Sequence, residues 1–333
     1  MKNTDTALAN TEMQELSDCR TGKFYEDVIC GLKSTPKFLS SMYFYDAVGD
    51  KLFQDLMACD EYYPTNCETE IFAEKTADIC KVMAGGGDAF DLIELGAGDA
   101  TKSTYLLKQL MQQSINFDYL PIDISSNVIS YLNMTLPVTI PGLNITGLNG
   151  EYFDMLKKAS AISDKRKVIM FLGSNIGNMP VDAAEDFCRN IRAHLSPGDM
   201  MLIGVDLKKN PHTILAAYND EGGITKQFNL NLLERINREL NADFDVSKFE
   251  HYPTYDPESG ACKSYLISLA DQTARIGESE TVTFAKDEYI FMEISQKFTV
   301  AQIDDMAAKA SFKPVTHFFD SKHWFTDAIW IAQ

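Results

Sequence analysis

From about residue 91 the chain alternates short apolar runs with longer amphipathic stretches. Leu92, Ile93 and Leu95 make one run, Phe117 to Asp123 a second, Lys167 to Leu172 a third and Met200 to Val205 a fourth. Short runs of this kind fit strands buried on both faces, as in parallel sheets. Residues 101–113, 125–134 and 181–195 carry apolar positions at helical spacing. One more strand is expected within 140–149. The βαβα succession predicts an α/β fold with a doubly wound, Rossmann-like parallel sheet. A helix at 300–310 and strands at 314–320 and 324–332 would close it.

The rhythm differs on both sides of this block. Arg20 to Leu39 reads as helix broken at Gly31 and Pro36, and Asp50 to Ala58 as a short amphipathic helix. Pro64 pushes Tyr63 towards an extended conformation. A helix over 66–82 is then capped by Thr65 or Asn66, and 84–88 is a glycine joint. After Asp206, residues 213–240 read as helical with a break at Gly222-Gly223. Antiparallel strands are expected at 249–255, 262–271, 281–285 and 289–294. The resulting division is a mobile tail (1–18), a sheet domain (67–205 plus 298–333) and an α+β domain (19–66 plus 206–297).

Chemistry concentrates at the ends of the strands. Glu94-Leu95-Gly96-Ala97-Gly98 turns the first strand into a helix. Its glycines allow unusual backbone angles and close approach by a ligand. Position 101 is Thr, so the third glycine of G-x-G-x-x-G is missing, which weakens a pyrophosphate dinucleotide. Asp123 ends the next strand, where a carboxylate can accept both ribose hydroxyls. This combination is the usual pattern of S-adenosylmethionine (SAM) methyltransferases. Gly96 and Gly98 would then face the methionine part, and Glu151-Tyr152 the adenine. Lys102 could pair with the methionyl carboxylate, or be a solvated first-turn lysine. Asn178 suits a ligand bearing an amine and a carboxylate, or a helix N-cap before Pro180. Glu293 and Ser295 are two apart on a strand and would share one face. They can bind a side chain with N–H donors, or form an ordinary solvated face.

The 333 residues carry 48 acidic and 30 basic side chains, a formal charge of -18. Such a surface repels nucleic acid and anionic lipid. The seven scattered cysteines show no C-x-x-C pair. Neither a disulfide framework nor a metal site is expected, which fits the cytoplasm.

In this order, the motifs resemble the histidine-specific SAM-dependent methyltransferases, which convert L-histidine to its Nα-trimethyl betaine, hercynine, on the way to ergothioneine. The matching stretches are Tyr45-Asp46-Ala47-Val48-Gly49, Glu61-Tyr62-Tyr63-Pro64-Thr65, Glu94-Leu95-Gly96-Ala97-Gly98, Phe171-Leu172-Gly173-Ser174-Asn175-Ile176-Gly177-Asn178, Gly204-Val205-Asp206-Leu207, Ala217-Tyr218-Asn219-Asp220 and Met292-Glu293-Ile294-Ser295. The resemblance implies that Asn178 and Tyr218 hold the substrate carboxylate and amine, with Tyr45 and Tyr62 lining the pocket. Tyr45 and Asn178 are the candidate catalytic groups. Glu293 and Ser295 would take the imidazole, with Ser264 standing where the family has Met. Gly96, Gly98, Lys102, Asp123, Glu151 and Tyr152 would hold SAM, without a metal. Glu151-Tyr152 replaces the family's Asp-Phe. The sheet domain then binds SAM, the α+β domain binds a free amino acid, and the enzyme is expected to be a monomer. Competing readings are an N-methyltransferase of tryptophan, tyrosine or another amino acid, a dinucleotide-dependent oxidoreductase, and a non-catalytic SAM-binding protein.

Overall fold

A computed structural model describes residues 22–85 and 89–333. The expected tail, 1–18, and residues 86–88 of the glycine joint lie outside them. The chain divides into two compact units. One comprises residues 63–210 and 295–333, the other residues up to 62 together with 211–294.

The first unit is built on a seven-stranded sheet. Its spatial order is Phe312–Phe319, Phe325–Ala332, Met200–Asp206, Arg166–Phe171, Phe90–Leu95, Phe117–Asp123, Leu148–Asn149. The last five are parallel. Phe325–Ala332 runs antiparallel to Met200–Asp206, and Phe312–Phe319 antiparallel to it in turn. The chain lays down Phe90–Leu95, builds outward on one side, then returns to place Arg166–Phe171 on the other. The order therefore reverses between these two strands, where ligands bind in open α/β sheets. All six residues of Phe90–Leu95 are buried. On one face Ile93, Ile122, Phe171 and Ile203 pack with Leu156, Phe187, Ile191 and Met306 from three helices. Each such side chain contributes roughly 1.5–3 kcal/mol when fully buried.

The second unit has its own core. A four-stranded sheet orders Lys37–Phe38, Tyr289–Gln296, Ala261–Ser268 and Phe249–Tyr255. Helices at 22–33 and Ile224–Glu239 supply Phe24, Leu32, Phe228, Leu232 and Ile236 to the core beneath it.

Several expectations change. Tyr63 is not extended: the helix runs Tyr63–Met83. Proline is tolerated in a first turn, whose N–H groups have no helical partner. The 140–149 strand shrinks to Leu148–Asn149. The 262–271 strand stops at Ser268, and Gln272–Ile276 pairs with Glu280–Phe284 as a separate hairpin. Residues 63–66, 206–210 and 295–297 belong with the sheet unit. Their physical tie is Asp206, which accepts from Tyr63 Oη at 2.8 Å and pairs with Lys297 at 2.7 Å.

Candidate active site

In the sheet unit, the turns after Phe90–Leu95 and Arg166–Phe171 lie side by side. Gly96 has φ +70° and Gly98 φ +52°, backbone that side chains with a Cβ rarely adopt. A Cβ at Gly96 would come 2.7 Å from Tyr152 Oη and 3.5 Å from Asn175 Nδ2. One at Gly98 would enter open space. Asp123 accepts from Gly98 N at 3.2 Å through one oxygen and from Ser125 N at 2.8 Å through the other. Each oxygen keeps acceptor capacity for a hydroxyl. Tyr152 is half-buried, its ring packed edge-on against Phe171 and Phe187. Burial, with the charges of Asp123 and Glu151, pushes its phenol up to about 12. Glu151 is exposed just before the helix Tyr152–Ser160.

Lys102 has a protein partner that the sequence reading missed. Its ammonium pairs with Glu68, which is fully buried. The other Glu68 oxygen accepts from Gly173 N at 2.7 Å. Glu68 thus ties the opening of the helix Ser103–Gln112 to the exit loop of the fourth strand in sequence order of the parallel set. A Cβ on Gly204 would collide with the Glu68 carboxylate, which explains the glycine there. Lys102 is held upward of the ordinary lysine range by Glu68, against the opposing effect of burial, which is the largest single influence.

The exit loop itself is shaped by close packing. Gly173 (φ +72°) and Ser174 (φ +57°) turn the chain left-handed. Asn175–Asn178 then forms one 3-10 turn. A Cβ at Gly177 would lie 2.7 Å from Gln296 O. Asn178 is exposed and does not cap the next helix, whose N-cap is Pro180 with no side-chain bond. The capping alternative for Asn178 is thereby removed. Ser295 is buried and accepts from Lys297 Nζ at 2.8 Å.

In the other unit, Tyr45, Tyr62 and Tyr218 come together through Phe53. Tyr45 meets Phe53 at 5.6 Å between centroids, Phe53 meets Tyr62 at 6.3 Å, and Tyr62 meets Tyr218 at 6.2 Å, all edge-on. Asp46 fixes the corner beside Tyr45 by capping Ala47–Met57 through Gly49 N at 2.7 Å. Asp220 does the same after Tyr218, accepting from Ile224 N and Thr225 N. Glu293 accepts from Asn229 Nδ2 at 3.4 Å. Ser264 is buried, and its hydroxyl has no protein partner among the described residues. Phe53, Asn229 and Glu68 were invisible as site residues. Phe53 reads as an apolar helix position, and the other two as ordinary helix polars.

The model of the family described as histidine-specific methyltransferase, SAM-dependent, matches residues 24–332. This chain belongs to that family. It is therefore a SAM-dependent methyltransferase with a Rossmann-like sheet, and the oxidoreductase reading is set aside. The "Histidine N-alpha-methyltransferase" of Mycolicibacterium smegmatis is 33% identical over 302 residues, covering 90% of each chain. "Ergothioneine biosynthesis protein 1" of Neurospora crassa is 29% identical over 86% of this chain and 32% of that longer protein. The "L-tryptophan methyltransferase trpM" of Psilocybe serbica is 27% identical over 89% of each. The turn geometry fits SAM: a paired glycine turn open beside Gly98, an acceptor carboxylate at Asp123 and a half-buried ring at Tyr152. Among the described residues no cluster of His, Cys, Asp and Glu suits a metal, and no helix is long and apolar enough to cross a membrane.

Proposed function

We propose that the protein transfers methyl groups from SAM to the α-amino nitrogen of L-histidine, giving hercynine. The observation that carries this reading lies on one helix. Ile224–Glu239 sets Phe228 against the Tyr45 ring at 5.7 Å and Asn229 against the Glu293 carboxylate. An aromatic wall and an acceptor carboxylate suit a flat ring bearing N–H groups. The names of the bacterial relatives support the same substrate.

In this reading Asp123, Gly96, Gly98, Glu151 and Tyr152 hold SAM, with Lys102 acting beside them through its pairing with Glu68. Asn178 and Tyr218 take the amino acid's carboxylate and amine, and Glu293, Ser295 and Ser264 its side chain. When bound, SAM supplies a methyl carbon on a sulfonium, which a neutral amine displaces as the C–S bond breaks. The chain's own work is orientation, worth about 7–11 kcal/mol in favourable cases. The amine must shed a proton before each attack. Tyr45 and Tyr62 orient it, with water as the acceptor. The sheet unit serves SAM, and the enzyme works as a cytoplasmic monomer.

The test is incubation with SAM and all twenty amino acids, followed by product masses. Histidine should gain up to three methyl groups. Methylation of tryptophan or another amino acid with histidine untouched would overturn the substrate assignment. Glu293→Ala should raise the histidine KM by roughly 10–100-fold, the worth of a hydrogen bond to a charged group. The SAM KM should stay within about twofold on the same reasoning. Equal losses for both ligands would reject the role of Glu293.

A further inference from the structure

Asp327 lies on the strand Phe325–Ala332 and is fully buried. Neither of its carboxyl oxygens has a hydrogen-bond partner among the described residues. Across the ladder it faces Gly204. A Cβ on Gly204 would overlap Glu68 Oε1 and stand 3.1 Å from Asp327 Oδ1, so the two carboxyl groups crowd one point beside bare backbone. Glu68 already has donors: Oε1 accepts from Gly173 N at 2.7 Å and Oε2 pairs with Lys102. The Lys102 ammonium stands 3.6 Å from where a Cβ on Gly173 would be, at the exit loop of Arg166–Phe171.

Glu68 acts on Asp327 from the helix Tyr63–Met83, and Lys102 from the residue before Ser103–Gln112. Glu94, on Phe90–Leu95, adds a third carboxyl beside Lys102 and Glu68, with Ser103 and Tyr119 as its donors. Phe318, opposite Asp327 on Phe312–Phe319, brings no charge. Asp206, two residues beyond Gly204, is paired with Lys209 and Lys297. One ammonium thus faces three buried carboxyl groups, and Asp327 alone of the three has no donor. A buried acid without donors, set against a carboxylate, keeps its proton. Burial, then the Glu68 charge, hold the Asp327 carboxyl well above the usual carboxylate range against the pull of Lys102. A protonated carboxyl is a hydrogen-bond donor, and Glu68 Oε1 is the acceptor crowded against it. We propose that Asp327 is a positioning residue for SAM: as a neutral acid it donates to Glu68 and so fixes that carboxylate between Lys102 and Gly173 N. This rests on the reading that Lys102 acts beside the methionyl group. An ionised Asp327 would add a second negative charge behind Lys102 and oppose the methionyl carboxylate.

The experiment joins infrared difference spectroscopy to calorimetric titration of S-adenosylhomocysteine, which keeps the methionyl group, into the full chain at neutral pH. The spectra are taken in a Glu94→Gln background, so that the other buried acid with a raised pKa adds no signal. Subtracting the Asp327→Asn spectrum should leave the carbonyl band of a protonated carboxylic acid, which moves in D2O. Adding Glu68→Gln should shift or abolish that band, because an amide oxygen is a weaker acceptor than a carboxylate. No band, or one indifferent to Glu68, overturns the inference. In the titrations, Asp327→Leu should raise the Kd roughly tenfold, the worth of a hydrogen bond to a charged group. Asp327→Asn, a neutral donor of similar shape, should recover most of that loss. Thermal unfolding is checked first. A folded Asp327→Leu protein that binds like the wild type overturns the positioning role. Should that variant not fold, an Asp327→Asn protein that binds more than about tenfold more weakly than the wild type overturns it instead. Lys102→Met with an unchanged Kd overturns the reading of Lys102 and the role of Asp327 towards SAM, while the infrared band still reports the proton that Asp327 gives to Glu68.

Discussion

Two residues beside the strand ends do more than the sequence implies. Gly96 combines a left-handed backbone with a neighbour, Tyr152 Oη, at 2.7 Å from where a methyl would stand. Gly96→Ala should cost about 1–2 kcal/mol in backbone strain and raise the SAM KM well beyond tenfold. In a Tyr152→Phe background the hydroxyl is gone, so part of that KM increase should be relieved. Strict additivity of the two changes would show that the close contact is unimportant. Glu68 is the second case. Its buried carboxylate satisfies both Lys102 and Gly173 N. Glu68→Gln keeps the acceptor for Gly173 but removes the charge opposite Lys102. The expected result is a several-fold rise in SAM KM with histidine KM little changed. A uniform fall in kcat at constant KM would instead indicate general damage.

At the scale of elements, the parallel strands were legible because burial on both faces leaves unbroken apolar runs. The glycine turn and Asp123 were legible because their chemistry is local. What escaped depends on tertiary partners. Glu68 sits in mid-helix among other polar residues, and only the fold reveals that its face is buried. The strand Gln272–Ile276 alternates polar and apolar positions too briefly to stand out, although its partner Glu280–Phe284 was expected at 281–285. Tyr63 shows a local rule giving way, since a proline entering a helix first turn costs little. The strand Phe90–Leu95 also carries a pH-sensitive group. Glu94 is buried, accepts from Ser103 Oγ and Tyr119 Oη, and is pushed by that burial up to about 7. An acid that holds its proton more firmly when folded adds stability below its ordinary pKa, about 4.5, and loses that contribution as pH rises through about 7. Urea midpoints of the wild type should therefore fall, relative to Glu94→Gln, between about pH 5 and 7. Parallel midpoints over that range would show that Glu94 is ionised throughout.

At the scale of the whole molecule, the chain passes between its two units at residues 62–63, 210–211 and 294–295, so each core draws on segments distant in sequence. This explains why the periodicity changes twice along the chain. The chain carries a formal charge of -18, and many of its carboxylates are exposed. Burial does not cancel it, since Lys167, Lys209 and Lys297 are each paired with a buried carboxylate, which removes charge of both signs together. The outer surface is therefore strongly anionic, and self-repulsion should destabilise the compact state at low ionic strength. Salt shortens the Debye length from about 30 Å at 0.01 M to about 8 Å at 0.15 M. Over that interval the apparent Tm should rise by a few degrees, since about 1 kcal/mol shifts a chain of this size by roughly 2–4 °C or less. Neutral osmolytes at matched osmolarity should not reproduce the salt dependence at the same low concentrations. A Tm that is flat or falling with salt would mean that local ion pairs, weakened by the same screening, outweigh the repulsion among the surface carboxylates.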